Sequence, residues 1–181
     1  VLIFLSVLTW RQCGFWKNTA TVFNHTLQAT ENNYLAHSII ADALVDEGKI
    51  NEAIEHCNNA IRIEPNYSDA YKVLGNAYNM INQTRLAFEN YNQAIHRKPN
   101  DQDAYNGKGV VFAKLGRYEQ AIEEFNIAIR LKQDYVSAYN NRSRAYMLSG
   151  QNELSCGDAR KACKLGDCRM MDAVRGKGIC H

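Results

Sequence analysis

Cysteine and histidine are the side chains here best suited to redox or metal chemistry, and the 181-residue chain has six and five of them. Four of the cysteines, Cys156, Cys163, Cys168 and Cys180, fall in the last 26 residues. Cys156 and Cys163 are seven apart, so on a helix they share a face. Outside the cytoplasm such thiols pair as disulfides, and Cys163, Cys168 and Cys180 are the expected participants. Spacing does not give their connectivity. Free buried thiols remain an alternative. So does a zinc site, although no Cys-x2-Cys pair is present and Cys168, Cys180 and His181 make a poor ligand set. Cys57 reads as a small apolar core filler. The histidines are scattered and have no motif partner. No Gly-rich phosphate loop, nucleophile elbow or paired-carboxylate motif occurs. The expectation is a chain with no catalytic residues, no cofactor and no metal.

Composition narrows the class further. Apolar residues are 46% and charged residues 22%, an ordinary globular balance. Lys+Arg 21 against Asp+Glu 19 leaves a net charge of +2, which gives nucleic acid no electrostatic foothold. Residues 160–181 hold six Lys/Arg and two Asp, a local net of +4. That basic end reads as solvated surface, with anionic lipid headgroups as the alternative.

What positions side chains in this sequence is a period. Pro65 and Pro99 are 34 apart, and Gly48, Gly116 and Gly150 fall on one 34-residue grid. The empty slot in that grid is Asn82, the next-best residue for a left-handed turn position. Ala53, Ala87 and Ala121 repeat at 34, as do Ala60, Ala94, Ala128 and Ala162. Cys57, Tyr91, Phe125 and Ala159 fill another series at the same interval. Helical periodicity within each unit places an apolar stripe on two helices. One pair cannot bury that stripe alone, so neighbouring pairs must stack.

The period and residue types resemble the tetratricopeptide repeat (TPR), whose pattern is Trp-x2-Leu-Gly-x2-Tyr, then Ala-x3-Phe, then Pro. Repeat 68–101 matches with Tyr71, Leu74, Gly75, Tyr78, Ala87, Tyr91, Ala94 and Pro99. Repeat 102–135 matches with Tyr105, Gly109, Phe112, Ala121, Phe125 and Ala128, and has Gln133 in the Pro slot. Repeat 34–67 keeps Leu44, Ala53, Ala60 and Pro65, and a degenerate repeat 136–169 has Ser143 for Gly and Ser155 for Ala. The resemblance implies an all-α fold, a right-handed α-solenoid of helix-turn-helix repeats. Residues 11–33 read as a partial repeat with a helix over 17–30. Residues 170–181 read as a Cys-containing tail, with a short helix near residues 168–175 capping the stack.

The resemblance also implies a protein- or peptide-binding scaffold with a concave groove lined by first-helix side chains. The matching groove positions include Asp69, Lys72, Asn76 and Asn79, then Asp103 and Asn106, then Asn140 and Arg144. Asn amides can bond an extended peptide backbone as donor or acceptor. Chaperone-binding members clamp a terminal carboxylate with Lys and Asn on successive helices. Lys72 and Asn76 fit the first pair, but Gly107, Ser137 and Asn141 break the rest. Arg142 and Arg144 stand by as attractors of an acidic ligand or as surface ion-pair partners.

Residue 1 is Val, and residues 1–10 are an apolar run ending in Trp10-Arg11. The run is about half of the roughly 20 residues that span a bilayer. It reads as the end of a membrane helix, with a buried first helix as the alternative. Residues 10–37 resemble the junction in polytopic protein O-mannosyltransferase-like membrane proteins that carry C-terminal TPR repeats. The expectation is therefore a membrane-tethered interaction scaffold with its repeats on the extracytoplasmic side. The alternative is the tail of a membrane glycosyltransferase that recruits acceptor proteins.

Overall fold

The computed structural model describes residues 33–180. The apolar run and the partial repeat expected before residue 33 lie outside them. Every regular element among the described residues is a helix, and none of these helices is long and apolar enough to cross a membrane. The chain divides into two compact units after Gln83.

The first unit contributes α1 (Tyr34–Asp46), α2 (Ile50–Ile63) and α3 (Ser68–Met80). Asn33 caps α1 by accepting the Ala36 N–H at 3.0 Å, which satisfies one of the orphan donors of a helix start. α1 ends at Gly48, whose φ of 76° is left-handed. There Gly48 N–H donates to Val45 O and Lys49 N–H to Leu44 O, the paired bonds of a Schellman end. α3 ends the same way at Asn82, at φ 57°, with Gln83 N–H on Tyr78 O at 2.9 Å. The 34-residue grid places a left-handed residue at both positions. Ile40, Leu44, Val45, Val73 and Leu74 form the core, around Ala41, Ala53, Cys57 and Ala77. Burial pushes the Cys57 thiol up to about 12, so it stays neutral and acts as the expected apolar filler.

The second unit contains α4 (Thr84–Arg97), α5 (Gln102–Lys114), α6 (Tyr118–Leu131), α7 (Val136–Leu148), α8 (Asn152–Lys164) and α9 (Arg169–Gly176). Successive helices pack on one another through short turns, and α5 also touches α7. First helices begin at Tyr34, Ser68, Gln102 and Val136, and second helices at Ile50, Thr84, Tyr118 and Asn152. Both series keep the 34-residue interval.

Close approach in this unit depends on residues that lack bulk. A Cβ on Gly107 would collide with the Tyr91 ring, and one on Gly109 would lie 2.6 Å from Phe125 Cε1. Both rings are buried, at 1% and 0% exposed, so neither can swing away. In the degenerate repeat, Ser143 on α7 and Ser155 on α8 occupy the close crossing, both 0% exposed. Ser143 Oγ donates to Ser155 O at 2.8 Å, and the two hydroxyls lie 3.1 Å apart. Serine stays small there and still satisfies its own polar group.

Proline proves unnecessary for ending second helices. α2 stops before Glu64-Pro65 and α4 before Lys98-Pro99, yet α6 stops at the same phase with Gln133 in the slot. At Lys132 the backbone turns extended (ψ 99°), much as at Glu64 (ψ 89°). A ring of the next helix bonds the chain just past two of these ends. Tyr71 donates its hydroxyl to Pro65 O, and Tyr139 donates to Gln133 O, both at 3.2 Å.

Two glycine substitutions separate packing from propensity. Gly107→Ala overpacks the Tyr91 contact, which costs about 1–3 kcal/mol, offset by about 1 kcal/mol of helix propensity. Gly157→Ala, on exposed α8 surface with nothing within 4 Å of the new Cβ, gains about that 1 kcal/mol alone. Urea melts are expected to show the first variant less stable and the second more stable than wild type.

Candidate interaction cleft

The second unit carries a cleft of about 470 Å³, lined by Asn106, Ser137, Asn140, Asn141, Arg144, Arg169, Met170 and Ala173. α5 and α7 supply two walls because each turns its first-helix face to the same side. Asn141 Nδ2 donates to Asn106 Oδ1 at 3.0 Å and ties α7 to α5. Asn140 Nδ2 donates to Asp167 Oδ2 at 2.8 Å. That bond orients the amide, and Asn140 Oδ1 is left buried with no hydrogen-bond donor among the described residues. Arg144 is exposed on the cleft wall, and no acidic side chain among the described residues is paired with it.

Arg142 has a different role. Its guanidinium forks onto Asp158 on α8, Nε to Oδ2 and Nη2 to Oδ1, both 2.7 Å. Its Nη1 reaches Asn126 Oδ1 on α6 at 2.5 Å, and it lies over the Tyr139 and Tyr146 rings. Residues two apart on a helix point to different faces, so Arg142 staples α6, α7 and α8 while Arg144 faces the cleft. The planar fork suits such a bidentate internal pair.

The remaining expected groove residues are distributed as follows. Asp103 faces the Tyr135 hydroxyl, and burial together with that carboxylate pushes the Tyr135 phenol up. Asp69 and Lys72 on α3, in the first unit, form an ion pair of 2.9 Å. Asn76 and Asn79 continue that helix at i+4 and i+7 from Lys72.

The third wall is one that the sequence reading misses. Arg169, Met170 and Ala173 come from α9, expected only as a cap over an apolar end. The signal exists, since α9 begins about 34 residues after α7, in the phase of another first helix. Arg169 bonds Asp167 at 2.6 and 2.9 Å. That guanidinium, with the Arg169 backbone N–H, holds the Asp167 carboxyl well below the usual carboxylate range. Cys163 bonds Cys168, but the partner of Cys180 is Cys156, which stands outside the expected set. α9 folds back along α8 and carries Cys180 to Cys156, about two helical turns from Cys163 on the same face of α8. The four sulfurs form two bonded pairs.

Comparison with known proteins agrees with this geometry. The family described as "TPR repeat" matches residues 41–82 and 109–150, and the family described as "Tetratricopeptide repeat" matches residues 90–123. The chain carries tetratricopeptide repeats. A crystal structure of MamA is similar at 26% identity and TM-score 0.70, covering 86% of this chain and 91% of that one. The thermophilic TPR protein TTC0263 of Thermus thermophilus has TM-score 0.78 over 93% of both chains. At 19% identity it shows the fold alone. The same holds for MamA 41-end from Desulfovibrio magneticus RS-1, at 16% identity and TM-score 0.70 over 89% of this chain and 93% of that one. No curated protein matches the chain. The fold is all-helical, an α-solenoid of TPR repeats, and such repeats serve as protein-interaction scaffolds.

A second polar cluster lies in the first unit. His37 on α1 and His56 on α2 face each other with Nδ1 atoms 2.9 Å apart. Burial lowers both pKa values below 6.5, and for His37 the neighbouring His56 and Arg62 lower it further. Glu55 and Glu52 pull His56 the other way without reversing the shift. The neutral pair is intact above the unfolded value. As pH falls below 6.5 the unfolded chain takes up protons first, so stability is lost toward the lower folded values. Denaturant midpoints are expected to drop as pH falls below about 6.5, and His37→Gln with His56→Gln is expected to flatten that slope.

Proposed function

We propose that this chain is a non-catalytic interaction scaffold that captures an extended partner segment in the cleft of α5, α7 and α9. One observation carries the reading. The buried Asn140 Oδ1 receives no donor among the described residues, and Arg144 on the same cleft has no acidic partner among them. Buried polar groups are nearly always satisfied, so an acceptor left open beside an unpaired cation marks a place for a ligand. A peptide backbone N–H answers the amide oxygen, and a carboxylate answers the guanidinium. Asn106 and Asn141, already bonded to each other, keep the α5 and α7 walls at a fixed spacing. The α3 set of Asp69, Lys72, Asn76 and Asn79 supports a groove of the same kind in the first unit. There Lys72 is already matched by Asp69.

The membrane tether, the extracytoplasmic placement and the glycosyltransferase-tail alternative rest on residues 1–37 alone. The cleft proposal does not need them.

The test is a peptide array probed with wild type and with Arg144→Glu combined with Asn106→Ala. Both changed side chains face the cleft, so the helical circular dichroism signal is expected to persist. Peptides held by wild type are expected to lose about 10–100-fold in affinity, as for loss of interface residues worth about 1–3 kcal/mol. The peptides lost are expected to be those bearing acidic side chains or free C-terminal carboxylates. An unchanged set of bound peptides at unchanged affinity would contradict the proposal.

A further inference from the structure

α9 is the cleft wall with the least hold of its own. It has 8 residues, and isolated helices that short do not persist in water. Its Met170, Met171 and Val174 are buried against Ala159, and a cystine anchors each end to α8.

The two cystines differ in access. Cys180 is 7% exposed within the apolar cluster under α9, and its partner Cys156 is half-buried against that cluster, as Cys163 is. Cys168 is exposed and sits at the N-cap of α9. Thiol–disulfide exchange needs a thiolate to reach a sulfur directly, so access decides which bond reacts. The Cys163–Cys168 bond also closes only residues 164–167, against a separation of 24 for the other cystine. The shorter loop gains less from cross-linking. That short loop contains Asp167, the residue that holds both Asn140 and Arg169 at the cleft.

We propose that Cys163–Cys168 is a reducible thiol–disulfide site, taking a dithiol as its reductant, that sets the shape of the α5–α7–α9 cleft. Cys156–Cys180 is the lasting staple. The inference deepens the scaffold reading of that cleft and rests on it for its consequence. The chemistry balances as two exchanges. A reductant thiolate attacks Cys168 Sγ, the protein S–S bond breaks, and Cys163 leaves as a thiolate that takes up a proton. The second thiolate of the reductant then attacks its own sulfur in the mixed disulfide and releases Cys168, which is protonated in turn. The protein gains two electrons and two protons, and the dithiol becomes a disulfide. The Cys168 thiolate leaves from the N-cap of α9, where a helix N-terminus favours negative charge. Once the bond is broken, the Asp167 backbone is held by its N–H on Ala162 O, its side-chain hold on Asn140 Nδ2 weakens, and the first turn of α9 loosens. The far end of α9 stays pinned by Cys180.

Native oxidised chain is titrated with dithiothreitol, quenched with iodoacetamide and mapped by peptide mass spectrometry. Hydrogen exchange is followed in parallel. Cys163 and Cys168 are expected to alkylate at reductant levels at least about tenfold below those for Cys156 and Cys180. Over the same range, amides of residues 167–171 are expected to exchange about tenfold faster, while those of residues 174–179 hold. Oxidised Cys163→Ser/Cys168→Ser is expected to reproduce the fast exchange without reductant. Simultaneous or reversed alkylation, or unchanged exchange at residues 167–171, overturns the proposal. Neither readout uses a partner. A cleft that binds no peptide would therefore sink the scaffold reading without deciding this one, and unchanged exchange would leave the scaffold reading standing.

Discussion

The structure depends on how closely two helices can approach when the residues between them have almost no side chain. Ala121, Ala128, Ala138, Ala145, Ala159 and Ala162 in the second unit are all at most 1% exposed. Gly107 and Gly109 have no room for a Cβ at all. This closeness lets single large rings, Tyr91 and Phe125, fill the remaining space at full burial. Large against small is how interiors reach crystal-like density. Because the backbones are held so near, the first-helix faces of α5 and α7 form a continuous wall. Asn106 and Asn141 can then meet across it.

Sequence repetition makes that constraint modular. The same left-handed turn closes α1 at Gly48 and α3 at Asn82. The same tyrosine-to-carbonyl bond closes the entry to α3 and α7. Where the repeat degenerates, chemistry compensates. Ser143 and Ser155 keep the small volume and satisfy each other, and the Arg142–Asp158 fork ties α7 to α8 inside the unit. A lone buried charge would be costly, so the pair and its Asn126 bond act together.

Much of this is legible in the residues. The 34-residue grid predicts where helices begin, that Asn82 turns left-handed, and that Cys57 is an inert filler, because each follows from local backbone and volume requirements. The unread parts depend on what lies across space. Arg142 and Arg144 look equivalent in a string, yet a turn of about 100° per residue sends one inward and one to the cleft. Cys156 pairs with Cys180 because α9 folds back along α8, which spacing alone does not show. α9 reads as a lid on an apolar end, while its phase in the repeat makes it a third cleft wall. Pro65 and Pro99 follow the ends of α2 and α4, yet α6 ends at the same phase with Gln133 in that slot.

We propose that the face shared by α5 and α7, not the outer face of the second helices, holds the partner. The direct measurement is site-specific photo-crosslinking of a retained partner peptide, with the probe placed in turn at Asn106 and at Glu123. Glu123 is exposed on α6. A crosslinked peptide is expected from position 106 and none from position 123. Crosslinking from position 123 alone would contradict it.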